Sequence, residues 1–179
     1  MDNLSFDNRE GYIWYNGNLL EWKNANVHVL NHGLHYASCV FEGERVYDGE
    51  IFKLEEHTER LFHSASRMGF KIPYNQEILN KATKDIVAIQ KIKNGYVRPV
   101  AWRGSEMMAI SAQQTKINVA IAAWEWGPYY DINKGIKLNI SRWKRPAPDT
   151  IPWDTKASGL YMICTLSKHE AEKDGYTDS

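Results

Sequence analysis

Asn75-Gln-Glu-Ile-Leu-Asn-Lys-Ala-Thr-Lys-Asp-Ile-Val-Ala-Ile-Gln-Lys-Ile-Lys-Asn-Gly95, running straight into Tyr96-Val-Arg-Pro-Val-Ala-Trp102, is the stretch on which the fold turns. Ile78, Leu79, Ala82, Ile86, Ile89 and Ile92 recur at helical spacing, which predicts an amphipathic helix with its apolar stripe against a core. Asn75 stands where a side-chain oxygen can take an orphan N–H of the first turn, and Asn94-Gly95 supplies the stop. The apolar run at 96–102 that follows reads as a strand. A long one-sided helix feeding a strand makes the chain an α/β protein.

Upstream, Tyr12-Ile-Trp-Tyr, Asn16-Gly17 and Asn-Leu-Leu-Glu-Trp22 predict a hairpin, because Asn-Gly tolerates the positive backbone angles of a tight turn. A second hairpin is expected from residues 39–47 through Asp48-Gly49 to residues 50–54, in the same sheet as the first. Residues 55–68 place Leu61, Phe62, Ala65 and Met68 on one helical face, with Gly69 as the stop. Further strands are expected at 117–126, almost wholly apolar and so expected to be buried on both faces, and at 136–143. A helix follows from about Ser158 to Asp174. The turn-forming stretch 127–135 divides the chain into a small α/β domain at 1–126, a linker at 127–135, and the start of a larger unit at 136–179. One strand and one helix cannot bury their own apolar faces, so that second unit reads as incomplete.

Composition narrows the function classes. Lys plus Arg and Asp plus Glu both number 22, so no global field favours nucleic acid or an anionic membrane. Cys39 and Cys164 are the whole cysteine content, too few for a disulfide framework and consistent with a reducing, cytoplasmic setting. The first ten residues are polar, and no long apolar run follows. Neither export nor membrane anchoring is expected. His28, His32 and His35 have spacings that could suit a zinc site on a helix. Val27, Val29 and Leu30 instead suggest a strand there, and no Glu follows the first His as a zinc protease helix requires, so packing and hydrogen bonding are the expected roles of these rings.

The chemistry concentrates in Arg145-Pro-Ala-Pro-Asp-Thr-Ile-Pro-Trp-Asp-Thr-Lys156-Ala-Ser-Gly159-Leu-Tyr161. A lysine between a stiff Pro-rich loop and a Gly-containing helix start, with small neighbours, has room for a flat ligand beside it. Such placement suits a nucleophilic amine. Spacing alone does not overturn the ordinary fate of a lysine, which is a solvated surface charge.

Five blocks in order do. His35-Tyr-Ala-Ser-Cys-Val-Phe-Glu-Gly-Glu-Arg45, Glu56-His-Thr-Glu-Arg60-Leu, Tyr96-Val-Arg-Pro99, Trp126-Gly127 and the loop 145–161 together resemble the branched-chain aminotransferases, fold-type IV enzymes that use pyridoxal 5'-phosphate. The resemblance implies a complete small N-terminal domain followed by the start of the larger cofactor-binding one. It implies that Lys156 forms the Schiff base with the cofactor and shuttles the proton, that Arg60 holds the cofactor phosphate through its planar fork, and that Tyr161 lines the cavity beside the lysine. Phe41, Trp126 and Tyr129 match the apolar walls for an aliphatic side chain. Tyr36 and Arg98 match the groups that accept the distal carboxylate of glutamate, and Tyr96 lies near the substrate's own carboxylate. The implied reaction is reversible amino transfer between leucine, isoleucine or valine and 2-oxoglutarate. A homodimer is implied as well, with Tyr36 reaching the neighbouring subunit's site.

In the family's pattern the carboxylate that pairs with the cofactor's ring nitrogen lies beyond residue 179. The chain therefore reads as an incomplete form, not expected to transaminate by itself. Three rivals remain on the residues: a D-amino-acid aminotransferase, an aminodeoxychorismate lyase of the same fold, and a non-catalytic dimerisation module. The 36–45 and 96–99 blocks resemble the branched-chain group more than either enzyme rival.

Overall fold

A computed structural model describes residues 5–179. Residues 1–4 of the polar N-terminal stretch lie outside the described residues. The first hairpin forms as expected: β1 (Tyr12–Tyr15) pairs with β2 (Asn18–Glu21) around Asn16 and Gly17, whose φ values of 48° and 91° are the positive angles the turn demands. The second hairpin is split. β3 (Cys39–Phe41) and β4 (Glu44–Tyr47) are separate strands interrupted at Glu42-Gly43, and β4 returns through Asp48-Gly49 to the short β5 (Glu50–Ile51).

Both hairpins do join one sheet, but not as neighbours. β6 (Gly95–Arg103) and β7 (Ile117–Glu125) pair along their whole lengths at the centre, giving the antiparallel order β2-β1-β7-β6-β4-β5, with β3 sharing the same edge of β6 as β4. α2 (Leu54–Arg67) and α3 (Gln76–Ile89) pack on one face. Asn75 caps α3 as expected, its Oδ1 accepting from the Ile78 N–H at 2.9 Å. The buried stripe of α3 is Leu79, Ala82, Thr83, Ile86 and Val87. Ile78 and Ile89, expected on that stripe, are instead exposed. Ile92, just past the helix, does reach the core.

Side-chain alternation along β6 and β7 sorts the two faces of the sheet. Val97 and Ala101 of β6 and Val119, Ile121 and Ala123 of β7 face the helices and are fully buried with Leu61 and Ile86, each large aliphatic stabilising by roughly 1.5–3 kcal/mol. The opposite face carries Tyr96, Arg98, Val100 and Trp102 of β6 and Ala120, Ala122 and Trp124 of β7. β7 is largely buried on both faces as expected, Ala120 and Trp124 being buried on the second, where Trp124 clusters with Trp22 and Tyr96 and Ala122 is half-buried. On that second face, Ala120 and Ala122 line a cavity of about 610 Å³, where small side chains leave space.

Gly95, at the start of β6, is pressed against the backbone of β7. A Cβ there would lie 2.4 Å from the Trp124 carbonyl oxygen and 2.4 Å from Ile92 Cγ2. Backbone cannot give way cheaply, so Gly95→Ala is expected to destabilise by about 1–3 kcal/mol. Thermal unfolding of the full-length protein checks this: a midpoint several degrees lower is expected, and an unchanged midpoint contradicts the packing described.

After β7 the chain is less regular. Residues 136–143, expected as a strand, make only a single bridge, Leu138 with Asp178 in parallel. Without a ladder partner among the described residues their apolar side chains stay out, Ile140 being 99% exposed. The expected helix begins as a 3-10 turn at Ser158–Tyr161 and continues as α4 (Met162–Lys173). Residues 27–30 form no strand, and α1 (His32–Tyr36) follows. The three rings take backbone partners: His28 Nδ1 accepts from the Leu30 N–H, His32 Nε2 lies 2.9 Å from the Ala109 oxygen, and His35 Nε2 lies 2.9 Å from that of Val29. Among the described residues no helix is long and apolar enough to cross a membrane.

Candidate active site

The site lies where the loop before α4 crosses β3 and the start of the sheet's open face. Lys156 is fixed by its backbone from two sides. Its N–H donates to Ser64 Oγ of α2 at 3.0 Å, and its carbonyl accepts from the Phe41 N–H of β3 at 3.1 Å. Ala157 forms a bridge with Val40, and Gly159 is pressed so close to Ala37 that an added Cβ would come within 3.0 Å of it. The small residues after the lysine are thus needed for the loop to dock. The loop is also tethered through Asp154, which lies 3.2 Å from both His63 Nε2 and Arg67 Nε on α2.

With its backbone held, the lysine's amine points into an aromatic corner. Nζ donates to Tyr161 Oη at 2.6 Å and sits 4.9 Å from the centroids of both Phe41 and Tyr161. These two rings meet edge to face at 4.7 Å. The Arg98 guanidinium lies 4.5 Å from the Phe41 centroid and donates through Nη2 to Tyr96 Oη at 3.1 Å, while its Nε is buried with no acceptor among the described residues. Tyr96 continues the wall into Trp126 and Tyr129, with centroid separations of 5.8 and 6.3 Å. Burial pushes the Tyr96 phenol above its ordinary range, so it stays neutral and able to donate to an anion. Arg45 holds the far end of this wall by donating to the carbonyls of Trp126 and Gly127. Cys39, in the cavity wall, has its thiol pushed up to about 11 by burial, which makes it an inert surface and not a nucleophile.

Lys156, Tyr161, Phe41, Arg98, Tyr96, Trp126 and Tyr129 are thereby brought into one continuous surface. Tyr36 is not part of it. That ring, 44% exposed, stacks on His32 at 4.6 Å, and its hydroxyl lies 3.5 Å from the Met108 carbonyl. Arg60, on α2 beside the loop, does not pair with Glu56, the neighbour one helical turn before it, which bonds Lys53 instead. Its Nε and Nη2 form a two-pronged bond to Glu42 at 2.6 and 2.7 Å.

The model of the class IV amino-transferase family matches residues 39–179. The chain belongs to that family. Several relatives of this class IV chain carry the name branched-chain-amino-acid aminotransferase. A probable one from Rickettsia conorii is 42% identical over 168 residues, covering 94% of this chain and 58% of that protein. Another from Escherichia coli K12 is 36% identical over 175 residues, covering 93% and 57%. The crystal structure of the Escherichia coli branched-chain amino acid aminotransferase superposes with a TM-score of 0.89 at 36% identity over 94% of this chain and 58% of that one. The T.th. branched-chain amino acid aminotransferase solved with pyridoxamine 5'-phosphate gives 0.88 at 35% identity over the same shares. The chain thus spans just under three fifths of the length of these relatives, and its fold is that of the fold-type IV aminotransferases.

Sequence reasoning passed over two groups of this class IV site. Ser64 looked like an ordinary helix residue, and its role as acceptor for the Lys156 N–H depends on a loop 92 positions away. Glu42 stood in a quoted motif, but nothing local showed that its carboxylate would turn inward and be fully buried.

Proposed function

We propose that this chain supplies the lysine, the phosphate-binding arginine and the substrate walls of an enzyme that exchanges amino groups between leucine, isoleucine or valine and 2-oxoglutarate. The observation that carries the reading is the Lys156 amine held at 2.6 Å by Tyr161 on an aromatic wall shared with Arg98. The residues fit pyridoxal phosphate: Arg60 keeps donors unspent after its bond to Glu42, and the buried Arg98 Nε lacks an acceptor among the described residues. Arg60 would hold the phosphate, and Lys156 with Tyr161 would hold the reactive end. Bound there, the cofactor supplies a carbonyl that takes up an amino group and a ring that draws electron density from the adjoining carbon.

The protein does the rest. Lys156 moves the proton at the substrate's alpha carbon, its amine oriented by the Tyr161 hydroxyl and kept dry by Phe41. Phe41, Trp126 and Tyr129 bury an aliphatic side chain at roughly 25 cal/mol per Å² of surface removed from water. Arg98 accepts the distal carboxylate when glutamate occupies the same space, and Tyr96 faces the substrate's own carboxylate. Tyr36, whose contacts lie away from this wall, serves the site of a second copy, so the enzyme is a homodimer. Residues 1–126 form the small domain, 127–135 the linker, and 136–179 part of the cofactor domain, in a cytoplasmic protein with no nucleic-acid or membrane partner.

The deciding experiment presents the full-length protein with leucine, isoleucine, valine, D-alanine and aminodeoxychorismate, measuring 2-oxo acid or pyruvate release. Turnover of the three branched L-amino acids with 2-oxoglutarate is expected. Preference for D-alanine, or lyase activity on aminodeoxychorismate, would replace this reading with one of its fold relatives.

A further inference from the structure

Glu42 is fully buried, yet it is the partner of a half-exposed arginine. It sits in the break between β3 and β4, its backbone held to the sheet by an N–H bond to the Pro99 carbonyl of β6 at 2.8 Å. Its Oε1 accepts from Arg60 Nε at 2.6 Å, its Oε2 accepts from Arg60 Nη2 at 2.7 Å, and His57 Nδ1 lies 2.8 Å from Oε2. An ionised carboxylate can only accept, so His57 must carry its proton on Nδ1. That ring is then unable to accept from Arg60, which lies 3.4 Å away. A guanidinium has five N–H groups, and with two committed to Glu42 the Nη1–Nη2 edge remains unspent. This is the edge a phosphate grips with two parallel bonds.

We propose that Glu42 is a positioning residue for the anion corner of the site: its buried carboxylate clamps the Nε–Nη2 edge of the Arg60 guanidinium so that the adjoining Nη1–Nη2 edge stands preformed for the phosphate of pyridoxal phosphate. The inference rests on the reading that Lys156 takes this cofactor. Two effects oppose each other. The negative charge of Glu42 partly cancels that of Arg60 and weakens its pull on an anion, whereas the clamp removes the rotamer freedom that a free arginine loses on binding. Arg60 is 50% exposed, so an anion at its outer edge meets solvent, where the partial cancellation by Glu42 is weakly felt, while the rotamer freedom of an arginine corresponds to roughly thirtyfold in affinity. Orientation wins. A carboxylate acting as a plug that the phosphate must displace would give the reverse sign.

The test is equilibrium binding to the full-length protein of two probes, pyridoxal phosphate and pyridoxal, which lacks the phosphate, followed by absorbance. The proteins compared are wild type, Glu42→Ala, Glu42→Gln and Arg60→Ala. Wild type should prefer the phosphorylated probe, and Arg60→Ala should erase that preference. Glu42→Ala should weaken pyridoxal phosphate roughly tenfold to thirtyfold and leave pyridoxal unchanged, with a shifted phosphorus resonance of the bound cofactor. Glu42→Gln, which keeps the shape but offers one oxygen instead of two, should lie between and guards against a folding defect in the alanine variant. Equal loss for both probes would make Glu42 merely structural and overturn the proposal, as would unchanged or tighter binding of pyridoxal phosphate by Glu42→Gln. A wild type indifferent to the phosphate would instead sink the cofactor reading beneath it, and the Glu42 proposal with it.

Discussion

Lys156→Ala is expected to reduce amino transfer by the full-length protein by at least about 10²–10⁴-fold, the contribution of a positioned proton carrier, with further loss because no other amine replaces it as nucleophile. Lys156 Nζ is the only lysine nitrogen found against the Phe41–Tyr161 pair among the described residues. Lys156→Arg should fail nearly as badly, since a guanidinium stays charged and cannot condense with an aldehyde. The fold should not notice. The bonds that pin the loop run from the backbone of residue 156 to Ser64 and Phe41, and alanine keeps both. Initial rates with leucine and 2-oxoglutarate, beside a thermal melt, separate the two effects. Activity within tenfold of wild type would mean the amine is not the reacting group.

Glu44→Gln should change how stability depends on pH. Glu44 lies two residues beyond Glu42, is fully buried, and has both carboxyl oxygens without a donor among the described residues. Burial, helped by the charge of Glu42, pushes its carboxyl from 4.5 up to about 8. The folded protein therefore holds a proton that the unfolded chain releases, so stability falls as pH rises from about 4.5 to about 8. The slope is at most about 1.4 kcal/mol per pH unit, reaching a few kcal/mol at most by pH 8. Glu42 acts in the opposite sense. Burial raises its carboxyl, but the hydrogen bonds and charges of Arg60 and His57 outweigh burial and hold it below its ordinary value. Its contribution is present above the unfolded carboxylate range and is lost as pH falls. The pair thus favours mildly acidic solution, with Glu42 ionised and Glu44 neutral. Denaturant melts between pH 5 and 9 should show wild type weakening more steeply than Glu44→Gln, the variant being the more stable at pH 8. Parallel curves would show that Glu44 is solvated.

Local chemistry made the regular elements legible. Asn16-Gly17, Asp48-Gly49 and Asn75 each act within four residues of themselves, and each does in the structure what its chemistry requires. Expectations slipped where partners decide. The 39–47 run breaks at Glu42-Gly43, where the glycine lies so close to Tyr96 that a Cβ would come within 1.8 Å of its hydroxyl. Ile78 and Ile89 share an apolar pattern with Leu79 and Ile86, but the sheet selects only the second pair. The 136–143 run has strand chemistry and, among the described residues, no neighbouring strand to satisfy it.

The site divides in the same way. Lys156 and its small neighbours were readable as a pinned lysine, and the aromatic wall followed from the resemblance. The Glu42–Arg60 clamp and the Ser64 anchor join residues that are 18 and 92 positions apart. Geometry of that kind is set by packing, and no periodicity announces it.

The most direct measurement is chemical trapping. Full-length protein loaded with pyridoxal phosphate is reduced with borohydride, digested, and the peptides mapped by mass. A phosphopyridoxyl group on the peptide containing Lys156 is the expected result. Its attachment to another lysine, or no attachment at all, would contradict the role given to Lys156.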